Sequence, residues 1–272
     1  MNYFEIIPSE LNNIIISYIP SSEDLKSVLD IFNLRGLNWS TIHSYHFGEY
    51  KSILLDEYLK KLSAEVLIIK LNLKYTVNEL LDLKILSLNN NQLVRVPPEI
   101  GMLNNLTILD LSGNQLTQIP PEIGNLTNLE YLSLSRNYLE CVPSEIGNLT
   151  NLQELYFNNN QLTQISSEIG NLIKLKVLSL SNNRLTQVPK KIGNLTNLEY
   201  LSLSNNRLIH IPKEIGKLTN LEYLHLTNNQ LTQVPREIGN LTNLLELYLD
   251  NNRLIHIPPE IRNIPGIIIY ES

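Results

Sequence analysis

Leu106-Thr-Ile-Leu109-Asp-Leu111-Ser-Gly-Asn114-Gln-Leu116-Thr-Gln-Ile119-Pro-Pro-Glu-Ile123-Gly-Asn-Leu126-Thr-Asn128 is one period of an internal repeat. Working outward from its asparagine, the same residue stands every 23 positions, at Asn91, Asn114, Asn137, Asn160, Asn183, Asn206, Asn229 and Asn252. Leucine follows each asparagine by two positions, from Leu93 to Leu254, and precedes each by eight, from Leu83 to Leu244. So strict a spacing of one polar residue in an apolar frame is the mark of a stacked-repeat architecture, and it has to be settled before any local element is assigned.

The unit's physics follows from the pattern. Leu86-Ser87-Leu88 and its seven counterparts alternate with period two, which predicts short strands with one face buried and one open. Stacked in parallel at about 4.8 Å, eight of them make a sheet roughly 35–40 Å long. Each asparagine follows its strand at a turn, where a buried side-chain amide can both donate to and accept from backbone groups that have left the ladder. The return segment, [Ile/Val]-Pro-x-Glu-Ile-Gly-x-Leu, starts with a fixed φ and ends near a glycine suited to a close or left-handed turn. It predicts one helical or 3₁₀ turn on the back.

The unit Leu-x-x-Leu-x-Leu-x-x-Asn-x-Leu-x-x-[Ile/Val]-Pro-x-Glu-Ile-Gly-x-Leu resembles the leucine-rich repeat family over residues 83–265. The resemblance implies an α/β solenoid, with a parallel sheet on the concave face and short helical or 3₁₀ turns on the convex one. Departures are few. Phe157 and Ser166 replace a leucine and a proline in one repeat, which predicts a slightly different back there, and Arg262 replaces the last glycine. Residues 266–272, with Gly266-Ile-Ile-Ile-Tyr270, read as a capping strand, because a solenoid must cover its terminal core. At the other end, residues 49–82 read as a helix over Glu49–Glu65, with Tyr50, Ile53, Leu54, Tyr58 and Leu62 on one face, followed by a degenerate first strand over Val66–Leu73.

Residues 1–48 stand outside the repeat. Ile7-Pro8-Ser9-Glu10-Leu11 opens a helix that ends at Ile15-Ile16-Ser17-Tyr18-Ile19, Asp24-Leu25 starts another, and Trp39 follows. Pro8-Ser9 and the Pro20–Ser22 cluster are the start and stop signals. This outline resembles the F-box motif, and an F-box beside leucine-rich repeats implies a substrate-recognition adaptor of a cullin-RING ubiquitin ligase. The resemblance would place the contacts to a Skp-type adaptor at Ile7, Pro8, Leu11, Ile15, Tyr18, Ile19 and Leu25, with the cullin beyond it. The other reading is that residues 1–65 only cap a stand-alone scaffold similar to the Ras-group leucine-rich repeat proteins, whose repeats carry the same Ile-Pro-x-Glu-Ile-Gly-x-Leu phrase.

Composition narrows the function classes. The 272 residues carry 21 basic and 27 acidic side chains, a formal charge of −6, so there is no basic stripe for phosphates and a nucleic-acid partner is not expected. No phosphate-binding glycine loop, His-Glu-x-x-His or cysteine pair occurs, so neither an enzyme nor a metal or cofactor site is expected. His43 and His46 alone lack a third ligand. No stretch approaches ~18 consecutive apolar residues, and a lone Cys141 fits a reducing compartment. The expectation is an intracellular protein of cytoplasm or nucleus, without a membrane partner. Near-identical repeats rich in asparagine and isoleucine fit an AT-rich source such as a large DNA virus, acting then in the host cytoplasm, or a protist.

Function is then expected on the concave face. One open row carries Ile85, Ile108, Tyr131, Glu154, Val177, Tyr200, Tyr223 and Glu246. The next carries Ser87, Asp110, Ser133, Tyr156, Ser179, Ser202, His225 and Tyr248. Asp110, Tyr131, Glu154, Tyr156, Tyr200, Tyr223, His225, Glu246 and Tyr248 are the candidate partner-binding residues, because tyrosine offers large amphipathic contact area at low entropic cost. Acids adjoin them at Glu130, Glu199, Glu222 and Asp250, against only Lys84, Lys176 and Arg136, so a basic protein surface is the expected partner. A bland role remains, in which the tyrosines only cover neighbouring leucines.

Overall fold

The computed structural model describes residues 51–271. The candidate adaptor contacts from Ile7 to Leu25, together with His43 and His46, lie outside them. The chain divides into two compact units, residues 1–78 and 79–272. In the first, helix α1 covers Lys51–Lys70; the side chains of the face drawn through Tyr50, Ile53, Leu54, Tyr58 and Leu62 fall outside the described set.

The expected strand at Val66–Leu73 is not formed. Residues 66–70 continue α1, and the chain leaves it by bonds from Leu73 N–H to Ile68 O at 2.9 Å and from Asn72 N–H to Ile69 O at 3.3 Å. That pair, with Asn72 at φ 49°, is a helix C-terminus closed by a left-handed residue. No glycine or proline separates Glu65 from Val66, so the helix runs straight through an apolar tetrapeptide whose β-branched residues would suit a strand equally well.

A short helix α2, Val77–Leu81, leads to the repeats. Nine three-residue strands follow: β1 Ile85–Ser87, β2 Ile108–Asp110, β3 Tyr131–Ser133, β4 Glu154–Tyr156, β5 Val177–Ser179, β6 Tyr200–Ser202, β7 Tyr223–His225, β8 Glu246–Tyr248 and β9 Ile268–Tyr270. They form one parallel sheet in sequence order, each residue paired with its equivalent in the next repeat. The final pair sets Tyr248 against Tyr270, one residue short of the repeat, so residues 268–270 do supply a last strand. Seven of the eight returns are five-residue 3₁₀ turns, such as Pro121–Asn125 and Lys190–Asn194, and the eighth is helix α3, Pro259–Arg262.

The core of the repeat unit is a stack of leucine rows. Leu86, Leu109, Leu132, Leu155, Leu178, Leu201, Leu224 and Leu247 in mid-strand are all buried, and Phe157 fits a leucine row with no exposure at all. Ser166 leaves the back of its repeat unchanged, contrary to the expectation above. Its φ of −62° and ψ of 144° match the −66° and 144° of Pro189. The hydroxyl accepts from Glu168 N–H and donates to the Glu168 carboxylate, and with Ser167 it holds that carboxyl down at about 2. A cap has replaced a ring constraint.

Two asparagine ladders tie the repeats together. In the first, Asn160 donates to Leu134 O and Phe157 O, both at 2.9 Å, and accepts from Leu139 N–H at 3.0 Å; its equivalents from Asn114 to Asn252 repeat the pattern. Asn91, at the open end, is exposed and reaches only Asn89 O through its amide nitrogen. The second ladder stands at the end of the return, where Asn128, Asn151, Asn197, Asn220 and Asn243 each donate to a carbonyl of the preceding repeat. Lys174 breaks that row and donates instead to Asn151 Oδ1 at 2.8 Å.

The residue before each ladder asparagine is left-handed: Asn90, Gly113, Arg136, Asn159, Asn182, Asn205, Asn228 and Asn251 have φ of 55–65°. Asparagine and glycine take that conformation cheaply, whereas an ordinary side chain there costs roughly 1–2 kcal/mol. Arg136 is exposed and has nothing local to offset the cost. Arg136→Asn is therefore expected to stabilise the chain by about 0.5–1 kcal/mol, read as a raised urea midpoint at unchanged slope.

Candidate functional site

The strand face of the repeat unit carries both predicted open rows, because each three-residue strand buries its middle leucine and sends its outer two side chains to the same side. Along that face the rings and carboxylates gather into two groups.

The first is Tyr131, Glu154 and Tyr156. The two rings meet at 5.5 Å between centroids, tilted by 45°, and the Tyr156 hydroxyl donates to Glu154 Oε2 at 2.7 Å. Burial raises the pKa of both phenols, and for Tyr156 the bond to Glu154 adds to the rise, so the hydroxyl keeps its proton and the carboxylate keeps its orientation.

The second group runs from β6 to β9. Tyr200 meets Tyr223 at 6.4 Å and His225 at 5.1 Å, His225 stacks on Tyr248 at 4.3 Å, and Tyr248 stacks on Tyr270 at 4.3 Å and 8°. The Tyr248 hydroxyl donates to Glu246 Oε2 at 2.5 Å, and that bond is the main reason its pKa is raised. Burial lowers the pKa of His225, so the ring in the middle of the stack is neutral at pH 7. In the row of Tyr156 and His225, β5 and β6 carry Ser179 and Ser202, both buried, and in the other row the same strands carry Val177 and Tyr200. The two groups form aromatic shoulders, and β5, with Val177 and Ser179, is the ring-free saddle between them.

Asp110 joins neither group. Its carboxylate accepts from Ser112 N–H at 2.9 Å and from Asn89 Nδ2 at 3.1 Å, so it holds its own turn. Tyr270 belongs to the second group and was missed, although its signal was in the sequence: residues 268–270 align on 246–248 once one position is dropped from the repeat. The cations of this face are few. Lys176 is paired with Glu199 at 3.5 Å, both half-exposed, a contact worth little on an open surface.

Among the described residues, no cluster of histidine, cysteine or carboxylate is arranged to hold a metal, and no helix is long and apolar enough to cross a membrane. Cys141 is free and exposed, away from both groups.

With this geometry in hand, the sequence matches the family model described as a leucine-rich repeat region over residues 62–188 and 181–266. The chain belongs to the leucine-rich repeat family. Among solved structures, a leucine-rich repeat protein of Leptospira interrogans is 35% identical over 73% of this chain, with a TM-score of 0.64; the match spans 57% of that protein, little more than half of its length. Internalin C2 of Listeria monocytogenes is 27% identical over 77% of this chain and 92% of its own, with a TM-score of 0.66. The plant peptide hormone receptor RGFR1, solved in complex with RGF2, is 34% identical over 72% of this chain and 33% of its own, with a TM-score of 0.64. Among curated proteins, none matches the chain. Its leucine-rich repeats support a protein-protein interaction module.

Proposed function

We propose that this leucine-rich repeat protein is a non-catalytic recognition subunit that holds a segment of a target protein on its strand face, inside the cell. The observation that carries the reading is the pair of tyrosine and carboxylate groups on either side of the ring-free β5, all on one continuous sheet. Amphipathic rings fixed by their neighbours lose little entropy on contact and are the residue types that dominate interface energetics. A neighbour of the same fold, RGFR1, was solved with a peptide hormone bound, which supports a peptide-like occupant.

The finer role is that of an F-box-like adaptor, in which Ile7, Pro8, Leu11, Ile15, Tyr18, Ile19 and Leu25 dock a Skp-type adaptor and its cullin. Its support is the order of residues 7–25 and Trp39 in the sequence. Co-purification of the full chain and of its Leu11→Asp, Ile15→Asp double variant with a Skp-type adaptor and cullin tests it. Retention by the wild type and loss by an equally stable variant is the expected result. If neither chain retains them, the ligase role falls and the protein is a stand-alone scaffold.

A further inference from the structure

The two shoulders of the strand face repeat the same three residues. Glu154-Leu155-Tyr156 in β4 and Glu246-Leu247-Tyr248 in β8 are identical, and in both the tyrosine hydroxyl donates to Oε2 of the glutamate two positions before it. A carboxylate has room for about four hydrogen bonds, so one taken by a phenol fixes its direction and leaves Oε1 to receive a cation. Each shoulder is completed by a ring from the strand before it: Tyr131 stands 5.5 Å from Tyr156, and His225 stands 4.3 Å from Tyr248. Glu130 adds negative charge to the first shoulder, Glu222 and Asp250 to the second. Among the described residues, neither Glu154 nor Glu246 is engaged by a basic side chain of the chain itself, the one ion pair of the saddle being Lys176 with Glu199.

The distance between the shoulders is set by the sheet. From β4 to β8 is four steps of a parallel ladder, in unbroken register, or about 19 Å at about 4.8 Å each. An extended peptide advances about 3.3 Å per residue, so about six residues span the gap. Six is even, and an extended chain turns alternate side chains to opposite faces, so residues six apart both point at the sheet. Between them the peptide would pass Val177 and Ser179 on β5 and then the rings of Tyr200, Tyr223 and His225.

We propose that the strand face reads an extended, basic segment of its target, with one arginine or lysine on Glu154 and Tyr156 and a second, about six residues away, on Glu246 and Tyr248. This rests on the strand face being the binding surface and adds the chemistry and spacing of what it binds. The two contacts act as linked sites, so the second is made at high effective concentration once the first is in place.

The test uses the full chain and fluorescein-labelled Ser/Thr peptides carrying a single arginine, or two arginines four, five, six or eight positions apart, with affinity read by anisotropy. The six-spaced peptide binds at least tenfold tighter than the single-arginine one, and the five-spaced peptide, whose second side chain points away, returns to the single-arginine level. Glu154→Gln and Glu246→Gln, both surface changes, each remove the six-spaced advantage. Affinities indifferent to spacing, or unchanged in both glutamine variants, overturn the proposal. A displayed library of random twelve-residue peptides, panned on the wild type and on Val177→Arg, which fills the saddle, separates the two levels. Non-basic binders lost in Val177→Arg overturn the basic pair and leave the strand face as the surface. Binders indifferent to Val177→Arg and to both glutamine variants overturn the surface itself.

Discussion

Gly170→Ala lowers the stability of the chain by about 3 kcal/mol or more, at the upper end of what overpacking a core costs. The added Cβ would lie 2.4 Å from Lys191 O, 2.6 Å from Lys191 Cβ and 3.0 Å from Lys191 C in the next return turn. Two of those atoms are backbone, so no rotamer change relieves the contact, and the turns would have to separate along the solenoid. The glycine is there for proximity rather than for φ: the same position in every repeat from Gly101 to Gly239 faces the next return at 2.3–2.8 Å, and none has positive φ. Gly266→Ala provides the contrast. Gly266 has φ of 73° with nothing within 4 Å of an added Cβ, so its cost is conformational and about 1 kcal/mol. Urea titrations of both variants, followed by circular dichroism, check the difference. A Gly170→Ala midpoint equal to the Gly266→Ala one would show that the returns can slide apart freely.

Asn160→Ala is expected to cost about 1–3 kcal/mol. It leaves the Leu139 N–H without a partner and takes one of two amide donors from each of Leu134 O and Phe157 O, which keep Asn137 and Asn183, in a part of the core where Asn160 is 9% exposed. The buried amide left without a partner accounts for that cost, and the two carbonyls, each still bonded to another asparagine of the ladder, add little. Asn160→Asp separates hydrogen bonding from packing, since it is nearly isosteric and can still accept from Leu139 but has nothing to donate to the carbonyls. It should be at least as damaging as alanine. Asn91→Ala, at the exposed end of the same ladder, should cost under about 1 kcal/mol. Because each repeat touches chiefly its neighbours, a break at Asn160 also weakens the coupling of the halves on either side, and its unfolding curve should broaden or split where that of Asn91→Ala does not.

The legibility of this protein in its sequence depended on repetition. The 23-residue spacing of Asn91 to Asn252 located eight of the nine strands, both open rows and the asparagine ladder, because a feature repeated eight times is visible against any local ambiguity. Residues 66–73 had no such support. One apolar tetrapeptide suits a helix end and a strand equally, and the capping role of Asn72 showed only in the bonds from Leu73 and Asn72 back into the helix. The second ladder, Asn128 to Asn243, was hidden by its own regularity inside the recurrent Leu-Thr-Asn phrase, where a side-chain bond to the preceding repeat leaves no mark on hydropathy. At the candidate site, the rows were readable but the grouping was not. That Asp110 serves its own turn is a fact of distance that no period reveals, whereas Tyr270 fell out of view because its strand comes one residue early in the repeat.

Arg262 stands where the preceding seven repeats have glycine. Its neighbourhood holds no further return turn; the guanidinium instead reaches across to Glu271 at 2.7 and 2.9 Å. A ninth return laid on this one in the same register would meet a whole arginine side chain where even a methyl group is too large. The residue thus acts as a stop codon written in shape. Copies of this array cannot be joined head to tail at that seam, and a gene lengthening it by unequal crossing-over gains a usable repeat only by inserting it upstream of Arg262.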